Sequence, residues 1–244
     1  EITPGEATNA VGEPHTFVIT ATALGAEPSD WAITPSVEGT PVPTKSHTCD
    51  QPDEADDGKS ATCTVTITST ETGVFTASAV AELTFDDGVV VTVETDGEDG
   101  NSGPGTKRYV DAELTLDPPL ATNEVEDVHT FTATLKVSGE AAVSETVTFT
   151  LSGKGSFVNG VDSCETDGAG QCNVYIESSE AGETTVEANW NGQVDTVSFG
   201  LRDTGKKTWV DGEIEITPGE ATNAVGEPHT FVITATALGA EPSD

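Results

Sequence analysis

The stretch Ala121-Thr-Asn-Glu-Val-Glu-Asp-Val-His-Thr-Phe-Thr-Ala-Thr134 decides the fold of this 244-residue chain, because related stretches occur near both ends. These are Ala7–Thr20 and Ala221–Thr234, which lie in two blocks of thirty identical residues, Glu1–Asp30 and Glu215–Asp244. Each copy contains His-Thr-Phe, and from the Phe onward every second side chain is apolar. That period of two is typical of a half-buried β-strand.

A second shared block shows how the chain is divided. GTKRYVDAELTL (Gly105–Leu116) and GKKTWVDGEIEI (Gly205–Ile216) lie 100 residues apart. The repeating unit is therefore about 100 residues long and occurs in two alternating types. The sequence predicts a type A domain at residues 1–104 and a type B domain at residues 105–204. Residues 205–244 are predicted to be a junction followed by the first strands of a further type A domain.

The last thirty residues hold only two strand-like segments. An isolated hairpin is at best marginally stable in water, so we expect something else to pair with them. The favoured interpretation is an array that continues beyond this segment. Donation of the strands to a neighbouring molecule is the alternative. No basic-then-apolar leader opens the sequence, and we expect targeting signals to lie elsewhere.

Alternation of apolar and polar residues recurs along the whole chain, and threonine fills many of the polar positions. Short turn signals separate the alternating runs, such as Asp86-Asp-Gly88 and Asn191-Gly192. No segment shows sustained helical periodicity. Short strands in units of this size predict an all-β protein of tandem immunoglobulin-like antiparallel β-sandwiches.

The charge balance excludes several partners. Nine basic and 43 acidic residues give a net charge of −34, whereas nucleic acids and anionic lipids require a basic surface. No apolar run approaches the roughly 20 residues that a membrane span needs. We therefore predict no nucleic-acid partner and no membrane span in this segment.

Four cysteines form two local pairs, Cys49 with Cys63 and Cys164 with Cys172. The second pair brackets a turn, so the two thiols can face each other across a hairpin. A zinc site is the alternative, but it favours closer Cys-x-x-Cys spacing and histidine ligands. The spacing favours two disulfides, which persist outside a reducing cytosol and predict an extracellular, cell-surface or secreted location.

Four segments of the second unit match a known pattern: HTFTATL (His129–Leu135), ETVTFTLSG (Glu145–Gly153), CETDGAGQCNVYI (Cys164–Ile176) and GETTVEA (Gly182–Ala188). Through these segments the unit resembles the bacterial Ig-like (Big) domains of the invasin and intimin type, which occur in tandem on surface proteins. In the first unit, residues 26–57 depart from the pattern. Within the family such domains serve as spacers, stalks or adhesive segments, and the resemblance implies such a role here.

No catalytic or nucleotide-binding fingerprint occurs, so we predict that the protein is not an enzyme and uses no cofactor. His15, His129 and His229 share one repeat position and are interpreted as structural strand-entry residues. The oxygen-rich stretch Asp96–Ser102 does not have the spacing of an EF-hand loop. A solvated linker is therefore favoured there over a calcium site, and no metal ligands are predicted.

Five of the nine basic residues lie at unit junctions, each group near an aromatic residue. We predict that these cations pair with carboxylates of neighbouring units and that the two rings pack at the seam. The predicted junction residues are Lys107, Arg108, Tyr109, Arg202, Lys206, Lys207 and Trp209. An isopeptide bond from Lys136 to Asn189 or Asn191 is a further, weaker hypothesis.

These observations predict an extracellular structural repeat protein that forms a fibre, a filament or a cell-surface stalk. Its expected partners are neighbouring repeats, followed by further molecules of the same chain through self-association into filaments. The alternative is an adhesin segment that binds a host protein or glycan, with residues 26–57, including Trp31, as the candidate loop region. A non-catalytic appendage of a large secreted enzyme is a third hypothesis.

Overall fold

The structure is a computed structural model that describes residues 1–240; residues 241–244, the end of the predicted third segment, lie outside the described residues. Almost every element is a β-strand, and the one helical element described is a 3-10 turn at Val158–Gly160. This confirms the predicted all-β class. Among the described residues no helix has the length and apolarity needed to cross a membrane.

The chain forms two compact units. Unit 1 comprises residues 1–111 together with residues 193–198, and unit 2 comprises residues 112–192 and the chain from residue 199 onward. The strands of unit 1 are β1 (Ile2–Thr3), β2 (Glu6–Ala10), β3 (His15–Thr22), β4 (Asp30–Gly39), β5 (Thr44–His47), β6 (Asp53–Glu54), β7 (Ser60–Thr68), β8 (Gly73–Thr84), β9 (Val90–Glu94) and β10 (Gly105–Val110).

The strands of unit 1 form two sheets. The first has the order β1-β3-β7-β5 with β6 also on β7, and the second has the order β2-β10-β8-β4 with β9 also on β8. Pro4 and Gly5 interrupt the opening strand, so β1 pairs antiparallel with β3 while β2 pairs parallel with β10. The beginning of the chain therefore contributes to both sheets of the sandwich.

Apolar and polar residues alternate along the strands of unit 1, and the apolar ones form its core. Phe17 and Ile19 on β3 are buried at 0% and 3% exposure, and Phe75 on β8 is fully buried. Threonines at the intervening positions face outward, as Thr16 and Thr66 do where their hydroxyls lie 2.8 Å apart across β3 and β7. Burial of the apolar set between two sheets is the main stabilising contribution.

Unit 2 repeats this architecture. Its sheets have the orders β11-β13-β18-β16, with β14 also on β13, and β12-β20-β19-β15-β17. The strands are β11 (Ala112–Asp117), β12 (Leu120–Glu124), β13 (His129–Val137), β14 (Glu140–Ala141), β15 (Thr146–Gly153), β16 (Ser156–Phe157), β17 (Ser163–Glu165), β18 (Gln171–Glu177), β19 (Gly182–Val194), β20 (Val197–Thr217) and β21 (Val232–Leu238). Again the opening strand is split: β11 pairs antiparallel with β13 and β12 pairs parallel with β20.

The end of β20 pairs with β21 to form what we call the terminal hairpin, residues 211–238. Ile216 opposes Ile233 there, as Ile2 opposes Ile19 in unit 1. Leu116 opposes Ala133 at the equivalent position of unit 2. One strand register thus occurs three times, which agrees with the three repeat copies in the sequence.

The unit boundary differs from the predicted one. Gly105–Val110 is the last strand of unit 1, paired with β2 and β8, and not the start of the second domain. Only Asp111 separates it from β11, and in the next repeat β20 continues without interruption through Thr217. Because extended chain runs through the boundary, no linker composition marks it in the sequence.

Candidate functional site

The last strand of each unit carries a buried lysine two residues before a buried aromatic ring. Lys107 and Tyr109 on β10 have 0% and 1% exposure, and Lys207 and Trp209 on β20 are both at 0%. Alternation places each lysine on the same inward face of its strand as the aromatic residue. A lysine is almost never fully buried without a partner, so each of these positions requires a specific neighbour.

That neighbour is an asparagine of the opening strand. The Nζ of Lys107 donates a hydrogen bond to Oδ1 of Asn9, and the Nζ of Lys207 donates one to Oδ1 of Asn123. In the parallel pairing, Asn9 lies opposite Tyr109, which places its side chain on the inward face as well. The same lysine, asparagine and aromatic ring therefore meet inside both units.

The aromatic ring lies next to the lysine in each cluster. Nζ is 5.3 Å from the centroid of the Tyr109 ring, and the corresponding distance to the Trp209 ring is 5.1 Å. Both rings are fixed by their polar atoms. The hydroxyl of Tyr109 donates to the carbonyl of Ile67 at 2.8 Å, and Nε1 of Trp209 donates to the hydroxyl of Thr184 at 2.8 Å.

A histidine lies near each cluster, close enough for its pKa to respond to the lysine charge. The His15 ring packs edge-on against Phe17 with centroids 4.7 Å apart, and its Nε2 is buried without a hydrogen-bond partner. His129 repeats this arrangement on Phe131 at 4.8 Å, and its Nε2 is buried in the same way. Burial, and secondly the charge on Lys107, lower the pKa of His15 to about 4. His15 and His129 are the first residues of β3 and β13, as predicted for strand entry, whereas His229 lies three residues before β21 begins.

Burial also lowers the pKa of Lys107 and of Lys207 to about 8 in each case. Asp127 acts in the opposite direction on Lys207 as the smaller effect. Within residues 1–240, no ion pair joins either lysine to a carboxylate. Each cluster therefore holds an amine whose pKa is lowered towards neutrality, in contact with an amide.

The interior position of these residues differs from the junction role predicted for them. Lys107, Tyr109, Lys207 and Trp209 lie inside their own units, because the apolar alternation of the last strand continues through the lysine. The remaining predicted cations are at the surface. Arg108 and Lys206 are exposed, and Arg202 lies 3.9 Å from Glu187 in unit 2.

The pair considered for an isopeptide bond is not brought together. Lys136 is exposed on β13, whereas Asn189 and Asn191 lie on β19 in the opposite sheet. Asn9 and Asn123 were not among the residues predicted from the sequence. Aligning the three repeat copies gives a signal, because asparagine occurs at residues 9, 123 and 223 and lysine recurs at residues 107 and 207.

Both predicted disulfides are present, Cys49–Cys63 and Cys164–Cys172. Cys164 lies on β17 and Cys172 on β18, so this bridge joins the two sheets of unit 2 and does not merely close a hairpin. Cys63 lies on β7, and Cys49 follows β5, which pairs with β7 in the same sheet.

Two loop regions singled out in the sequence have ordinary structural explanations. In Asp96–Ser102, Oδ1 of Asp96 accepts a hydrogen bond from the backbone N–H of Glu98 at 3.0 Å. No group of three or more potential metal ligands is gathered anywhere in residues 1–240. In residues 26–57, Trp31 is buried in the core of unit 1 at 6% exposure, so its ring offers no binding surface.

Comparisons with known proteins give structural neighbours only. No protein-family model and no curated protein matches the sequence. Solved structures that resemble it include the D00-D0 domain of intimin, with 13% identity, a TM-score of 0.38, and coverage of 84% of this chain and 95% of that one. Another is the Yersinia pseudotuberculosis adhesin InvE, with 18% identity, a TM-score of 0.30, and coverage of 85% and 57%. Both are of the invasin and intimin type that the sequence resembles.

Proposed function

We propose that this chain is part of an extracellular structural repeat protein, a stalk or fibre built from tandem Ig-like sandwiches. The observation that carries the proposal is the threefold occurrence of one strand register, Ile2 with Ile19, Leu116 with Ala133 and Ile216 with Ile233. Each unit begins by the same pairing and is closed by an equivalent last strand. Adding units of this kind one after another lengthens the stalk or fibre. The first partners of each unit are then the neighbouring repeats.

Covalent and electrostatic features support an exposed location. Each unit contains one disulfide, and disulfides persist in oxidising environments such as the cell surface. The net charge of −34 keeps such a surface soluble and makes separate molecules repel each other. The clusters described above are enclosed within the units, so they offer no open site for a soluble substrate.

Electron microscopy of the native material tests the proposal. We expect long, regular fibres or stalks with a repeat of two domains, at roughly 40 Å per domain from strand length and rise. Isolated short monomers in the native material would contradict it. Specific, saturable binding of one unit to cells or to a glycan array would favour the adhesin alternative.

A further inference from the structure

The lysine–asparagine contact has a chemical consequence beyond a hydrogen bond. We propose that Lys107 with Asn9, and Lys207 with Asn123, become joined by intramolecular isopeptide bonds. Three observations carry this proposal. The two side chains are in contact, the lysine is completely buried, and the arrangement is the same in both units.

The burial of each lysine argues against a permanent ammonium. A buried charge is normally paired with an opposite charge, yet the hydrogen-bond partner of each Nζ is a neutral amide. An amide bond removes the charge and leaves one N–H and one C=O in place of two polar side-chain ends. Because burial lowers the lysine pKa to about 8, the neutral and nucleophilic amine is a minor form near pH 7, but it is far more populated than in an exposed lysine.

The reaction balances without any added reagent. The neutral Nζ of lysine attacks Cγ of asparagine, and a new C–N bond forms. The bond from Cγ to Nδ2 then breaks, and Nδ2 leaves with a proton taken from Nζ. The products are one secondary amide and one molecule of ammonia, so no oxidant, reductant or cofactor takes part.

The transferred proton needs a carrier, and the histidine near each cluster is suited to that role. The Nε2 atoms of His15 and His129 are buried and have no hydrogen-bond partner in the structure. The charge on the neighbouring lysine contributes to the lowered pKa of each histidine. A neutral imidazole can accept a proton from the attacking amine and return it to the departing nitrogen.

The third repeat copy provides an internal comparison. Asn223 donates a hydrogen bond from Nδ2 to the carbonyl of Pro228 at 2.9 Å, as Asn9 does to Pro14 at 3.1 Å. The 244 residues contain two lysines at the cluster position but three such asparagines. A single molecule can therefore form two bonds and not three.

Intact-mass spectrometry of the whole chain, denatured and with its disulfides reduced, tests the proposal. We expect a mass below that of the sequence by two molecules of ammonia. The double variant K107R K207R keeps the charge but cannot react, and it should show the full sequence mass. The matched control K136R changes an exposed lysine and should keep the double loss. A wild-type mass equal to the sequence mass would overturn the proposal, even if the double variant failed to fold.

Fragmentation locates the bonds and tests the histidines. Proteolysis should release one branched peptide that contains both Asn9 and Lys107, and another with Asn123 and Lys207; linkage at other residues would overturn the assignment. In freshly made H15Q, we expect the unlinked fraction at Asn9 to increase while the bond in unit 2 still forms. An unchanged linked fraction would remove His15 from the mechanism.

Discussion

The opening strands of unit 1 and the terminal hairpin have the same sequence but different surroundings. Both pair in one register, Ile2 with Ile19 and Ile216 with Ile233. Only the first pair is buried, because β7 and the opposite sheet cover it. The comparison shows that the local pattern specifies strand pairing, while burial, and with it most of the stabilisation, depends on residues far away in the chain.

The largest difference between the two regions should come from their phenylalanines. Phe17→Ala removes a fully buried ring and should lower the free energy of unfolding of unit 1 by about 3–5 kcal/mol. Phe231→Ala truncates the same residue in an exposed setting and should change stability by less than about 0.5 kcal/mol. Urea titration of both variants measures the difference. Equal losses would show that the hairpin is packed in the monomer.

The second-largest difference should be in the rate of amide hydrogen exchange in β3 and in β21. Digestion releases the same peptide from β3 and from β21, since the sequences are identical. We expect two isotope envelopes of equal area, one exchanging at the rate of global unfolding and one much faster, because β21 pairs on one side only. A single slow envelope would mean that both copies are enclosed by further protein.

A smaller effect is expected on the stability of unit 1 at acidic pH. The pKa of His15 is lowered from 6.5 to about 4 in the folded protein, so the unfolded chain binds more protons between these values. Stability arising from the neutral histidine is fully present above pH 6.5 and is lost as the pH falls towards 4. In H15Q the midpoint of unit 1 unfolding should depend less on pH in this window than in the chain that keeps His15. Both chains carry Lys107→Arg, which keeps the charge and excludes the isopeptide bond, so the difference between them isolates this effect from the titration of the many carboxylates.

The smallest effect should come from the outer face of the same strand. Val18→Thr and the matching Val232→Thr should each change the free energy of unfolding by less than about 0.5 kcal/mol, because both side chains contact solvent. Thermal unfolding curves check this. A clear loss for Val18→Thr alone would show that another surface covers the outer face of β3.

Much of the fold was predictable from the sequence for local reasons. The alternation around Phe17 and Phe131 predicts the strands and their inward faces, and short loops between cysteines predict both disulfides. The unit boundary was wrong because the last strand of unit 1 runs almost directly into β11. Continuous extended chain leaves no compositional mark where one sandwich ends and the next begins.

The candidate site was harder to predict. A lysine in an acidic chain is normally a surface residue, and the sequence predicted Lys107 and Lys207 at a junction, paired with carboxylates of neighbouring units. Their burial depends on asparagines 98 and 84 residues away, brought close by a parallel pairing that no local pattern announces. Trp31 was predicted to lie in a candidate binding loop. Its ring is buried instead, because the opposite sheet covers it.

The parallel pairing of β2 with β10 also determines how a unit responds to pulling. The chain enters through β1 and β2 and leaves through β10. Because β2 and β10 point the same way, tension on the two ends pulls these two strands past each other. Five paired positions, Glu6–Ala10 against Thr106–Val110, then resist as a group, so rupture in shear requires them to fail together. A covalent link from Asn9 on β2 to Lys107 on β10 would lie directly on this line of force. It would transmit the force from one strand to the other without loading the rest of the sandwich.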